Sequence, residues 1–88
     1  MKVEFRNSFA NDLKSIRDKV LLNRVRELIG GVERAETLAE ISNLKKLRGP
    51  GGYYRARLGD YRVGIALEGD SVIFVRCLNR KDIYRYFP

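Results

Sequence analysis

Apolar and charged side chains alternate at the start of the chain, with Val3 and Phe5 set between Lys2, Glu4 and Arg6. This period of two predicts a short strand with one buried face. The period then changes. Phe9, Leu13, Ile16 and Val20, followed by Leu21, Val25, Leu28, Ile29 and Val32, recur at helical spacing, so residues from about 8 to about 34 are expected to form two amphipathic helices or one broken helix. Asn7 and Ser8 supply helix-start chemistry, and Asp18 is placed to cap the second helix. Gly30-Gly31 falls late in this stretch. A glycine costs about 1 kcal/mol relative to alanine inside a helix, so the pair predicts a frayed end.

Leu38, Ile41, Leu44 and Leu47 recur every third residue, which predicts a helical turn or an irregular packed connection. The Gly/Pro cluster Arg48-Gly49-Pro50-Gly51-Gly52 closes it as a loop. Beyond the loop, Tyr53 to Val63 reads as a hairpin turning at Gly59-Asp60. A second turn falls at Gly69-Asp70, a strand runs from about Val72 to Leu78, and Arg80 to Pro88 closes the chain. The element order is β-α-α-β-β-β with a short carboxy-terminal segment. Helices grouped before strands predict an α+β fold, a two-layer single domain over residues 1–88 with an antiparallel sheet packed on helices. At 88 residues the core is modest.

The hairpin register matters for chemistry. A two-residue turn at Gly59-Asp60 sets Leu58 opposite Tyr61 and Arg57 opposite Arg62, with Arg55 further along the same face and Tyr54 and Tyr61 on the core side. Like charges side by side cost stability, so an anion is expected between them. In the next hairpin, a two-residue turn at Gly69-Asp70 would pair Val63 with Arg76 and bury a guanidinium. An odd-length loop or a bulge instead brings Arg76 and Arg80 to the arginine face and buries Ile73, Val75 and Cys77 beside Val63, Ile65 and Leu67. The cost of burying an unpaired charge favours that second register.

The charge distribution strengthens this picture. Residues 1–44 carry a net +1 and residues 45–88 a net +6, with arginine outnumbering lysine 12 to 6. Such asymmetry points to nucleic acid or another anionic surface, and the planar guanidinium suits phosphate. There is no histidine, which excludes histidine-based acid/base catalysis, Ser/His and Cys/His nucleophilic sites and histidine metal sites. The single cysteine, Cys77, lies in an apolar run. It can form neither an intramolecular disulfide nor a zinc knuckle, and it is expected to be a buried structural thiol suited to a reducing cytoplasm. The acidic residues lack paired spacing, and Lys45 to Gly52 lacks the Gly-Lys-Ser/Thr of a phosphate loop. No cofactor or metal is therefore expected. Neither a signal segment nor a membrane-spanning run is present in these residues, so the expectation is a cytoplasmic chain with no membrane partner.

What remains is Arg55, Arg57, Arg62, Arg76, Arg80, Lys81, Tyr84, Arg85 and Tyr86, with Lys45, Lys46 and Arg48 just before the loop. This inventory fits phosphate handling. Arginines stabilise charge developing on a phosphate, tyrosine stacks on a base or donates a proton, and RNA carries its own nucleophile in the 2′-hydroxyl.

Lys46-Leu47-Arg48-Gly49, then Tyr54-Arg55-Ala56-Arg57-Leu58-Gly59-Asp60-Tyr61-Arg62-Val63, then Asn79-Arg80-Lys81-Asp82-Ile83-Tyr84-Arg85 resemble, in order and spacing, the RelE/ParE toxin superfamily of type II toxin–antitoxin systems, the RelE branch more closely. The resemblance implies a ribosome-dependent mRNA endonuclease that cuts the A-site codon by 2′-hydroxyl attack, leaving a 2′,3′-cyclic phosphate and a 5′-hydroxyl. It implies catalytic roles for Arg57 near the 2′-hydroxyl, for Arg55 and Arg62 on the phosphate, for Arg80 at the leaving oxygen and for Tyr84, with Tyr86 as competitor, against a base. Lys45, Lys46, Arg48, Arg76, Lys81, Arg85 and Tyr86 would then bind RNA. It further implies a cognate antitoxin, ribosome and mRNA as partners, with operator DNA reached only through the toxin–antitoxin complex. Positions 55 and 57 carry arginine where the best-known members carry lysine. A guanidinium with a pKa above about 12 accepts a proton poorly, which leaves the general base to a tyrosinate or to the ribosome. Two alternatives stand beside this expectation: a ParE-like poison of DNA gyrase and a non-catalytic RNA-binding module.

Overall fold

Two tight turns lay out the sheet. In the computed structural model of the chain, which describes residues 1–88, Gly59 and Gly69 adopt φ of +60° and +59° and no residue other than glycine has positive φ. Gly-Asp in this conformation is the type II′ turn that matches strand twist. The elements are β1 (Lys2–Phe5), α1 (Asn7–Lys14), α2 (Lys19–Arg34), a 3-10 turn at Leu38–Glu40, β2 (Leu44–Lys46), β3 (Tyr53–Leu58), β4 (Tyr61–Glu68), β5 (Ser71–Asn79) and α3 (Ile83–Tyr86). The strands form one sheet in the order β1-β5-β4-β3-β2. Its last four strands are antiparallel, as expected, but β1 runs parallel to β5, from Lys2 opposite Ser71 to Phe5 opposite Phe74.

The core lies between α1–α2 and one face of the sheet. Phe9, Val25, Val32, Ala56, Val63, Ile65, Val72, Phe74 and Cys77 are buried there, with Tyr54 and Tyr61 packed at its margin. Burying the apolar faces of both helices stabilises the domain by about 25 cal/mol per Å² of apolar surface removed from water. The other sheet face is not bare. Ala66 and Ile73, paired across β4 and β5, are buried apart from that cluster, as are Ile83 and Phe87 of the carboxy-terminal segment.

Three local expectations are corrected. Gly30-Gly31 does not fray α2, which continues to Arg34. Val32 near its end is fully buried, and the Met1 ammonium donates to the Val32, Glu33 and Ala35 carbonyls at 3.2, 2.8 and 2.9 Å. Tertiary anchoring outweighs the glycine cost. The every-third-residue run splits into the 3-10 turn and β2, whose residues pair with β3 as Leu44 with Ala56, Lys45 with Arg55 and Lys46 with Tyr54. Finally, β5 has both a two-residue turn and a bulge. Gly64 pairs with Arg76 and Ile65 with Phe74, leaving Val75 between them. Val72, Phe74 and Cys77 therefore face the core, and Ile73 faces the opposite side, away from the Val63, Ile65 and Leu67 row where it was expected.

Asp18 caps α2 as the sequence suggests, accepting from Val20 N at 2.9 Å and Leu21 N at 3.2 Å. At the sheet edge β1 leaves β5 after Phe74, and α1 takes over. Arg6 N donates to Phe74 O at 3.0 Å, Ser8 Oγ donates to Val75 O at 2.5 Å, and Asp12 accepts from Cys77 N at 2.9 Å. The helix thus satisfies backbone groups that a bare edge would leave open to another chain.

Candidate active site

The bulge and the hairpin turn together decide which cations share a surface. Arg57 pairs with Arg62, and Arg55 pairs with Gly64 on one side and Lys45 on the other. A cleft of about 470 Å³ opens over this patch, lined by Lys45, Arg55, Arg57, Arg62 and Tyr84 together with Ser42, Asn43 and Leu44. The structure therefore brings together four of the five residues expected to be catalytic, plus one expected RNA-binding lysine.

The cleft is electrostatically unbalanced. The ion pairs in the molecule are Arg6 with Glu68 and Arg76 with Asp12, so no carboxylate lies within ion-pair distance of Lys45, Arg55, Arg57 or Arg62. Arg62 Nη1 donates to the Gly59 and Tyr61 carbonyls at 2.7 and 2.9 Å, which ties the guanidinium to the turn. The Arg55 guanidinium carbon lies 4.7 Å from the centroid of the Tyr84 ring, a cation–π distance. Several like charges without a paired carboxylate suit an oligoanion such as a run of phosphates.

Asn43 and Ser42 line the cleft unforeseen. Asn43 Nδ2 donates to Arg57 O at 2.9 Å and Arg57 N donates to Asn43 O at 3.0 Å, a reciprocal pair that holds the loop before β2 beside Arg57. No periodicity marks these residues; only the β2–β3 register places them.

The other expected residues lie elsewhere. Arg76 reaches the arginine face, but its charge is matched by Asp12, with Nε to Oδ2 at 2.8 Å and Nη2 to Oδ1 at 3.0 Å. That hydrogen bond, opposed by burial, raises the guanidinium above its ordinary pKa. Tyr86 lies over Arg76 at 5.1 Å, so the two carboxy-terminal tyrosines occupy different places and only Tyr84 lines the cleft. Arg80 is exposed and does not line it; its backbone N–H donates to Asp60 O at 2.7 Å, beside the turn that holds Arg62. Lys46 lines a separate groove with Tyr54 and Leu67. Arg48, Lys81 and Arg85 are exposed outside the cleft. Cys77 is buried, and desolvation first, with nearby Asp12 second, pushes its thiol from 9.0 up to about 12. It is a structural thiol rather than a nucleophile.

Comparison with known proteins gives a consistent set of likenesses. A family model described as the ParE toxin of the type II toxin–antitoxin system parDE matches residues 3–84. The toxin RelE3 of Methanocaldococcus jannaschii is 40% identical over 89 residues, covering 100% of both chains. Among solved structures, the RelB–RelE antitoxin–toxin complex of Methanococcus jannaschii matches with 38% identity and a TM-score of 0.83, over 97% of this chain and 99% of that one. The RelE–RelB complex of Pyrococcus horikoshii OT3 matches with 28% identity and a TM-score of 0.74, over 90% and 93%. YafQ of E. coli, at 17% identity, a TM-score of 0.74 and coverage of 94% and 97%, shares the fold.

Proposed function

Because this chain belongs to the RelE/ParE superfamily of type II toxin–antitoxin toxins, we propose that it is a ribosome-dependent mRNA endonuclease acting in the cytoplasm. The observation that carries this is the cleft where Arg55, Arg57, Arg62 and Lys45, none with a carboxylate partner, converge with Tyr84. The 2′-oxygen of an A-site nucleotide attacks the adjacent phosphorus, the bond to the 5′-oxygen breaks, and a 2′,3′-cyclic phosphate and a 5′-hydroxyl result. Arg57 and Arg62, opposed across the hairpin, stabilise the charge gathering on the non-bridging oxygens, and Arg55 holds the phosphate beside Tyr84. Tyr84, 70% exposed, is free to stack on a base. Once RNA is bound, Arg80 assists the leaving 5′-oxygen from the neighbouring loop by stabilising its charge, and that oxygen takes its proton from water. The proton on the 2′-hydroxyl passes to a tyrosinate or to a ribosomal group, since no guanidinium accepts it at neutral pH. Rate enhancement then rests on positioning and charge.

A cognate antitoxin, acidic and partly helical, would neutralise the chain by covering the cationic cleft or displacing the carboxy-terminal segment, and operator DNA would be reached only through that complex. The relatives crystallised with RelB support a partner of this kind. A second function has one observation in its favour, the match to a ParE model: poisoning of DNA gyrase without RNA cleavage. Primer extension on a translated message after induction separates the two. Cuts at codons engaged by ribosomes are expected, whereas an intact message with DNA-damage induction would select the gyrase poison, and ribosome association without cutting would select a binding module.

A further inference from the structure

The carboxy-terminal segment meets the sheet through three aromatic side chains, each set on one member of a single cross-strand row. Arg55, Gly64 and Arg76 are direct neighbours across β3, β4 and β5. Tyr84 lies over Arg55 at 4.7 Å and Tyr86 over Arg76 at 5.1 Å. Phe87 fills the space between them: a Cβ added at Gly64 would come within 2.5 Å of Phe87 Cγ and 2.6 Å of Cδ1, well inside van der Waals contact. Gly64 lacks the positive φ found at four other glycines. A glycine inside a strand weakens it, so its value here lies in the missing side chain. Burial divides the segment the same way. Ile83 and Phe87 are 0% and 4% exposed, while Tyr84 and Tyr86 are 70% and 55% exposed. Phe87 also meets Tyr53 edge-on at 5.7 Å.

We propose that Gly64 and Phe87 form a knob-and-hole that positions Tyr84 for catalysis. Phe87 seats because Gly64 has no side chain, and that seat fixes the one-turn helix α3 so that the exposed Tyr84 ring stays against Arg55 at the cleft. Both are positioning residues: neither lines the cleft. The catalytic consequence rests on the nuclease function proposed above, but the seating itself does not.

Two readouts on the full chain test this, and the first is independent of activity. The Tyr84 ring current should shift the Arg55 side-chain resonances in NMR spectra. Phe87→Leu and Gly64→Ala should each move those resonances toward their position in Tyr84→Ala. On ribosomes programmed with a defined message, both variants should lower kcat by about 10²-fold with KM unchanged, the scale of a small misplacement of a catalytic group. Phe87→Leu should add nothing in the Tyr84→Ala background. The smaller Leu should also restore part of the loss caused by Gly64→Ala. Unchanged Arg55 resonances in folded Phe87→Leu, or full additivity of Phe87→Leu with Tyr84→Ala, would overturn the proposal. A parent chain that leaves the message uncut would refute the nuclease function instead, and the NMR shifts would still decide the seating.

Discussion

Arg57 and Arg62 face each other across β3 and β4, and neither meets a carboxylate. Directly opposed like charges cost a sheet about 0.2–1 kcal/mol. Arg57→Thr should therefore raise stability by about that amount, read from the urea midpoint, while removing cleavage. A loss of stability would mean that the two guanidiniums do not repel in solution. Cys77 makes a separate prediction. Its thiol ionises near 9.0 when free and only near 12 when buried in the fold. Between those values the unfolded chain has lost a proton that the native chain keeps, so stability falls as pH rises, by about 1.4 kcal/mol per unit. Below 9 this contribution is fully present. The difference in stability between the parent and Cys77→Ala should accordingly be flat below pH 9 and shift in favour of the variant above it; a difference independent of pH would contradict the burial of the thiol.

The edge where α1 replaces β1 depends on one carboxylate. Asp12 accepts from Cys77 N and from two nitrogens of Arg76, so Asp12→Asn leaves poorly satisfied groups at a half-buried edge. It should cost about 1–3 kcal/mol in denaturant unfolding; a neutral result would show that solvent already satisfies that edge. This contact was not legible in the sequence, since Asp12 and Arg76 are joined only by tertiary packing. The helices and the first hairpin were legible because period and Gly-Asp turn agree at each level, and Leu58–Tyr61 pairing follows directly. A three-residue strand such as β2 carries no period to detect. The bulge at Val75 could be inferred from the cost of burying Arg76, but not its coexistence with a two-residue turn, which sends Ile73 to the opposite face. For the candidate site, the arginine row came from strand parity. That Tyr84 lines the cleft and Tyr86 does not follows from the tertiary packing of the carboxy-terminal segment, which no local pattern encodes.

Across the whole molecule the net charge of +7 is concentrated in the second half of the sequence, and the fold gathers part of it at one cleft while pairing Arg76 away from it. No helix is long and apolar enough to cross a membrane. A cationic cleft of this kind should bind single-stranded RNA with an affinity that falls linearly with the logarithm of salt concentration. Arg57→Thr should reduce that slope by about 1. An unchanged slope would place Arg57 outside the phosphate contacts. Whether this cleft cuts ribosome-bound message with its own arginines is decided by incubating the purified chain with ribosomes holding a defined codon in the A site, then analysing the new 3′ ends by mass spectrometry. Cuts within that codon ending in a 2′,3′-cyclic phosphate are expected, abolished by Arg62→Ala and by Arg80→Ala with the circular dichroism spectrum unchanged. An uncut message, or undiminished cutting by both variants, would contradict this role for the cleft.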